Sequence, residues 1–169
     1  MRERHIQAAV IAWVATLLVA APHAQSAPPL TASSVYDDPR YLLEFALDGN
    51  LRTRWASRPG GNPQDWVVFD FGQTVSLREL TVTWERAMAT EYDVQMSPDG
   101  KTWQTAITRA DPDGSRRSIG PDAFTDRIDG FQATGRYLRL LCRKTGQHPL
   151  YSIWEIQFPQ EEIAALARR

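Results

Sequence analysis

The segment Phe45-Ala46-Leu47-Asp48-Gly49-Asn50-Leu51-Arg52-Thr53-Arg54-Trp55 concentrates hard oxygen donors in one short stretch. Asp48 offers a carboxylate, Asn50 an amide carbonyl and Thr53 a hydroxyl, and Gly49 lets the chain turn between them. Oxygens of this kind are what a calcium ion takes. The spacing is not that of an EF-hand. Counting from Asp48, the fifth position is Arg52, the sixth is Thr53 where that loop needs glycine, and the twelfth is Pro59 where it needs glutamate. Taken alone, the segment reads also as an ordinary Asp-Gly turn.

Other chemistries find little to work with. The histidines are His5, His23 and His148, and the only cysteine is Cys142. A Ser-His-Asp site needs a histidine beside its nucleophile, and there is no Gly-x-Ser-x-Gly elbow and no glycine-rich phosphate loop. A zinc site takes several His or Cys ligands, more than one of each. No signature pair of carboxylates marks a glycosidase. A small hydrolase therefore ranks behind binding functions, and the chain reads as a non-enzyme.

Lys plus Arg number 19 and Asp plus Glu 20, for a net charge of -1. Without a basic surplus, nucleic-acid binding is excluded as the main role. At 169 residues and 43% hydrophobic, the chain is long and apolar enough for one domain with its own core.

The first residues, Met1 to His5, carry Arg2 and Arg4, and Ile6 to Ala21 is nearly all apolar before Pro22. The run is shorter than the roughly 20 residues a membrane span needs. Small residues follow in Ala24-Gln25-Ser26-Ala27. This is the pattern of a signal peptide over 1–26, cleaved after Ala24 or Ser26, with an uncleaved anchor as the other reading. The mature chain is then secreted or periplasmic and keeps His148 as its only histidine. Cys142, alone and within a strand pattern, is expected to be a buried, inert thiol.

The elements that position these residues read as short strands. Trp66–Phe71, Leu77–Trp84, Tyr92–Ser97, Thr102–Ile107, Tyr137–Cys142 and Ile153–Phe158 carry the pattern. In Leu77–Trp84, the set Leu80, Val82 and Trp84 has period two and goes to a core, leaving Leu77, Glu79, Thr81 and Thr83 opposite. Pro98-Asp99-Gly100-Lys101 is a hairpin signal, because proline presets the first turn angle and Asp-Gly tolerates positive φ. Many short strands predict an all-β antiparallel sandwich. The tail Glu161 to Arg169, acids first and arginines last, reads as a short C-terminal helix or the start of a linker. The tryptophans Trp55, Trp66, Trp84, Trp103 and Trp154 sit mostly in strand patterns and are expected in the core.

The run from Ala46 to Trp55, then Gln64 to Gly72, Trp84 to Tyr92, Ser97 to Trp103, Arg136 to Leu140 and Tyr151 to Ile156 resembles, in order, a discoidin domain. These are the coagulation-factor type C domains, whose fold is shared by bacterial carbohydrate-binding modules such as family 32. The resemblance covers roughly Ser33 to Phe158, within a domain spanning 27–160. It implies a galactose-binding-domain-like jelly roll that binds ligands through loops at one end, and a structural calcium. Carried over by motif, the calcium takes backbone carbonyls of Phe45, Asn50, Thr53 and Trp154 and side chains of Asp48, Thr53 and Glu155. This gives the Glu in Ile153-Trp154-Glu155-Ile156-Gln157-Phe158 a role, its other reading being a solvent-facing residue.

Sugars present C–H faces to aromatic rings and hydroxyls to planar polar groups. The loop candidates are Tyr36, Arg58, Glu85, Arg86, Glu91, His148 and Tyr151. Galactose-binding relatives commonly place a His and an aromatic residue in the loop after Thr-Arg-Trp, with an Arg from another loop. Here Ala56 to Asp65 contains neither, and Arg86 is the candidate arginine. Membrane-binding relatives expose apolar spikes and join the domain ends by a disulfide; neither pattern is present, so membrane binding is not expected. The first reading is a secreted, non-catalytic module that binds a glycan or polysaccharide. The second is an adhesive or structural module that binds a protein partner through the same loops, with Ser115-Arg116-Arg117 and the tail available to it.

Overall fold

A computed structural model describes residues 29–60, 64–110, 117–120 and 123–159, the side chains of 117–120 excepted. The expected signal peptide and C-terminal helix, and the Ser115-Arg116 part of the basic segment, lie outside the described residues. No helix among the described residues is long and apolar enough to cross a membrane.

Ten strands follow in chain order: β1 Leu30–Ala32, β2 Trp55–Ala56, β3 Trp66–Leu77, β4 Leu80–Glu85, β5 Ala89–Ser97, β6 Gln104–Ala110, β7 Arg117–Gly120, β8 Ala123–Ile128, β9 Ala133–Thr145 and β10 Ser152–Gln157. They form two five-stranded sheets, β1-β3-β9-β5-β6 and β2-β10-β4-β8-β7, whose pairings are antiparallel. Two 3-10 turns, Pro39–Tyr41 and Leu43–Leu47, lead into the oxygen-rich segment. The all-β antiparallel jelly-roll sandwich expected from the sequence is the fold observed.

Alternation explains the core. Phe69, Val82, Trp84, Tyr92, Val94, Leu138, Leu140 and Ile153 are fully buried and come from both sheets. Neighbouring inward residues on each strand are two apart, as a pleated strand half-buried between sheets requires. Across the interior, the Tyr92 hydroxyl donates to Asp126 Oδ2 at 2.7 Å and Arg109 Nη2 donates to Asp126 Oδ1 at 2.8 Å. The Asp126 charge can stay buried because it is held by both partners.

The sequence reading is corrected in three places. Leu77–Trp84 is not one strand. The chain breaks at Arg78-Glu79, so Leu77 ends β3 and is fully buried, and Thr83 is buried as well. β6 starts at Gln104 rather than Thr102 and runs to Ala110. Trp55 and Trp84 are core residues, but Trp66, Trp103 and Trp154 are half-buried, and Trp103 sits in the bend before β6. Cys142 is buried and in no disulfide, as expected. The Pro98–Lys101 hairpin forms, with Gly100 at φ +71° and with Asp99 Oδ1 accepting the amides of Lys101 and Thr102 at 2.8 Å each. Those amides hold the exposed Asp99 carboxyl down at about 2.

Gly135 in β9 passes close to β5. A Cβ added there meets the Ser97 carbonyl oxygen at 2.8 Å and the Ser97 amide nitrogen at 2.9 Å. Backbone cannot swing aside as a flexible side chain can. Gly135→Ala is expected to cost about 1–3 kcal/mol of stability, read as a lowered urea midpoint; a wild-type midpoint would contradict this close approach.

Candidate functional site

Two polar assemblies lie outside the core. The first is built by an irregularity in β10. Ile153 pairs with Trp84 and Glu155 with Thr83, so Trp154 is an extra residue, a β-bulge. Ile153 and Ile156 both enter the core, and the bulge turns Glu155 towards the segment after the second 3-10 turn. There Glu155 Oε2 accepts the Gly49 amide at 2.7 Å, across 106 residues of sequence. Gly49 adopts φ +72°, the left-handed conformation that the turn requires and glycine allows. Asp48 Oδ1 accepts the Asn50 amide at 2.9 Å and Asp48 Oδ2 the Thr53 hydroxyl at 2.6 Å. The Asn50 carbonyl accepts the Thr53 hydroxyl at 2.9 Å and the Thr53 amide at 3.1 Å.

Glu155 is not solvent-facing: it is only 4% exposed. Burial, with the Asp48 charge as a further cause, raises its carboxyl from 4.5 to about 6, against the pull of the Gly49 amide. Among the described residues no three His, Cys, Asp or Glu side chains gather. The two carboxylates present, Asp48 and Glu155, leave any remaining ligands to hydroxyls and carbonyls. That is a hard-oxygen donor set with excess negative charge, and it fits calcium rather than zinc. Beside it, the Arg54 guanidinium lies between the Tyr41 and Trp154 rings, 4.7 and 5.0 Å from their centroids.

The second assembly is one end of the sandwich. β1, β2, β4 and β9 end there and β3, β5 and β10 begin there, so their loops converge. The sequence reading missed the residue that joins them, Asp65. It is 3% exposed. Its Oδ1 accepts the Ser33 hydroxyl at 2.6 Å and the Ser34 hydroxyl at 3.1 Å, and its carbonyl accepts the Cys142 amide at 2.9 Å. The Ser34 hydroxyl in turn accepts the Arg58 amide at 3.0 Å. Backbone bonds continue the lattice: Tyr36 N–H to Ala56 O at 2.9 Å, Gly60 N–H to Pro149 O at 2.9 Å, and Ser152 N–H to Ala87 O at 2.7 Å. The aspartate before Trp66 and the paired serines after β1 were the signal available in the sequence.

Six of the seven loop candidates reach this surface. Arg58 and Arg86 are exposed; Tyr36, Glu85, Glu91 and His148 are half-buried. The Tyr36 ring packs edge-on against Tyr41 at 5.2 Å. Glu85 Oε2 accepts the Ala87 amide at 2.9 Å and so shapes the turn carrying Arg86. Glu91 lies in β5 opposite Lys144. Tyr151 is the correction. It is fully buried among the core residues, its amide donates to the Ser57 hydroxyl at 3.0 Å, and burial drives its phenol well above the usual range. A large ring following a loop is drawn between the sheets by the apolar surface it buries, so Tyr151 supports the loop end from beneath and offers no face to a ligand.

Among solved structures, chitosan-binding module 1 of a chitosanase/glucanase from Paenibacillus sp. IK-5 is 27% identical, with a TM-score of 0.66 over 78% of this chain and 94% of that one. Chitosan-binding module 2 of the same enzyme, solved with chitotriose, is 27% identical, with a TM-score of 0.65 over 77% and 94%. The family 32 carbohydrate-binding module of NanJ from Clostridium perfringens, solved with galactose, shares the fold at 14% identity, with a TM-score of 0.60 over 77% and 91%. No curated protein matches the chain. The F5/8 type C domain profile matches residues 29–156, which spans the two sheets, the Asp48–Glu155 loop and the Asp65 lattice alike, and the chain belongs to the F5/8 type C (discoidin) domain family.

Proposed function

We propose that this chain is a carbohydrate-binding module that holds glycans at the loop end around Asp65 and does not turn them over. The observation that carries this reading is its 27% identity across 94% of a module solved with chitotriose. The loop end supplies suitable chemistry. Arg58 presents an exposed planar fork for hydroxyl pairs, Glu85 and Glu91 present acceptors, and Tyr36 presents a half-buried ring. The Asp65 lattice fixes the loops before ligand arrives, which lowers the ordering cost of binding. Such a shallow site binds weakly per copy, and several copies on one surface strengthen it.

The same reading includes a structural calcium held by Asp48, Asn50, Thr53 and Glu155 with the carbonyls of Phe45 and Trp154, and action outside the cytoplasm after removal of 1–26. The ion supplies charge neutralisation to Glu155 and Asp48. The chain supplies the bulge that aims Glu155 and the turn that stacks the other oxygens.

Binding is tested by titrating the folded protein with chitotriose and with galactose, in calcium and in chelator. Arg58→Ala is expected to weaken glycan binding about tenfold with no change in melting temperature, since its side chain is exposed. A folded, calcium-loaded protein that binds no glycan removes the reading. Calcium is expected to raise the melting temperature of the wild type and not that of Glu155→Gln; an unchanged wild-type melt across the titration removes the metal.

The raised Glu155 carboxyl predicts a pH dependence in chelator. The folded value, about 6, exceeds the ordinary 4.5, so folding takes up a proton between them. The contribution of Glu155 to stability therefore rises as pH falls from about 7 towards 4.5 and levels off below. Denaturant unfolding of wild type and Glu155→Gln at several pH values checks this: the variant is expected to lack that slope.

A further inference from the structure

We propose that the outer face of the β1-β3-β9-β5-β6 sheet carries a second glycan contact, centred on Arg139, that takes the carboxylate of a uronate sugar. β9 is the middle strand of this sheet. Arg139 pairs in register with Val68 on one side and Gln95 on the other, so it stands at the centre of the outer face. Its guanidinium is fixed twice. Nε donates to Gln95 Oε1 at 2.7 Å, and the plane lies over the Trp103 ring, 4.2 Å from its centroid. Neither terminal nitrogen donates to a described group, and neither is a buried atom.

The carboxylate nearest in charge is already used. Asp93 is 1% exposed. Its Oδ2 accepts two bonds from Arg143 and one from Gln95 Nε2 at 3.3 Å, and its Oδ1 accepts the Thr108 hydroxyl at 2.8 Å. The other acid nearby, Asp70, is gripped by both Arg136 Nε and Nη2, at 2.7 and 2.8 Å. Asp93 is thus committed to Arg143 and Asp70 to Arg136, and Arg139 is ion-paired with neither. Its free edge is the planar pair of donors that matches a carboxylate. Because Gln95 and Trp103 hold the fork, little side-chain freedom is lost when an anion binds.

The geometry favours a sugar acid over an acidic peptide. The half-buried Trp103 lies against the Arg139 guanidinium, and the half-buried Tyr137 stands two residues away on the same strand face. Rings beside a carboxylate fork suit a pyranose that carries its acid at the edge. The proposal rests on the glycan-binding reading above but uses a different surface.

The test is two-dimensional NMR of the full folded chain with oligogalacturonate, with chitotriose, and with a polyglutamate peptide of equal charge, alongside binding isotherms for Arg139→Gln and Arg139→Lys. Oligogalacturonate is expected to shift the Trp103 indole and Arg139 Nε signals in the wild type. Its affinity is expected to fall about tenfold in Arg139→Gln and less in Arg139→Lys, with chitotriose binding unchanged. Oligogalacturonate binding that shifts only loop-end signals, or that survives Arg139→Gln, overturns the proposal and leaves the loop-end reading standing. So does chitotriose or galactose binding without oligogalacturonate binding. Equal binding of polyglutamate at the same signals overturns the assignment to a sugar. Failure of every glycan removes both readings.

Discussion

A carboxylate withdrawn from water must have its lone pairs filled, or it destabilises whatever surrounds it. Asp65 is such a group, and the loops at one end of the sandwich meet half of that demand: Oδ1 is filled, while the buried Oδ2 has no hydrogen-bond partner among the described residues. Ser33 and Ser34 bring their hydroxyls to it, and Ser34 then passes the connection to Arg58 through its backbone amide. The Asp65 carbonyl reaches β9 through Cys142. Segments that are far apart in sequence are thereby held in one relation, and the exposed side chains that face solvent inherit that relation. The exposed side chains of this surface are carried on a frame whose shape lies in a buried polar group.

Glu155 solves a similar problem by different means. It too is buried, and the amide of Gly49 satisfies one of its oxygens. Its carboxyl nevertheless rises to about 6, because burial, with Asp48 as a further cause, outweighs the backbone amides of Gly49, Ile156 and Asn50. Asp70 shows the contrast: two bonds from the Arg136 guanidinium hold it below the usual range. Asp70 therefore stays ionised well into acid, whereas Glu155 takes up a proton near pH 6. The bulge at Trp154 makes the second arrangement possible, since a regular strand would send either Ile156 or Glu155 to the wrong side.

Much of this was legible in the sequence. Period-two alternation located the middle of β3, β4, β5 and β9, because each buries one apolar face. The Pro98–Lys101 turn was readable from residue chemistry alone. β1 and β2 are too short to show a period. β8 was missed because its inward positions include Asp126, a charged residue buried by its partners rather than by apolarity. Arg78-Glu79 broke a strand that alternation alone would have continued. At the candidate sites, Asp48, Asn50 and Thr53 could be chosen by donor type, and Arg58 and Arg86 by their loops. Asp65 and Arg139 could not, because what distinguishes them is the partners that long-range pairing supplies. Tyr151 was misplaced for the same reason: adjacency to a loop does not say on which side of the backbone a ring lies.

Cys142 stands in the central strand of the larger face, 2% exposed and without a second thiol to pair with. A reagent in solution meets its sulfur only when β9 parts from its neighbours. The strand with the most extensive pairing among the described residues therefore carries its own reporter. The rate at which a thiol reagent modifies the native protein measures how often that sheet opens, without any label having been introduced.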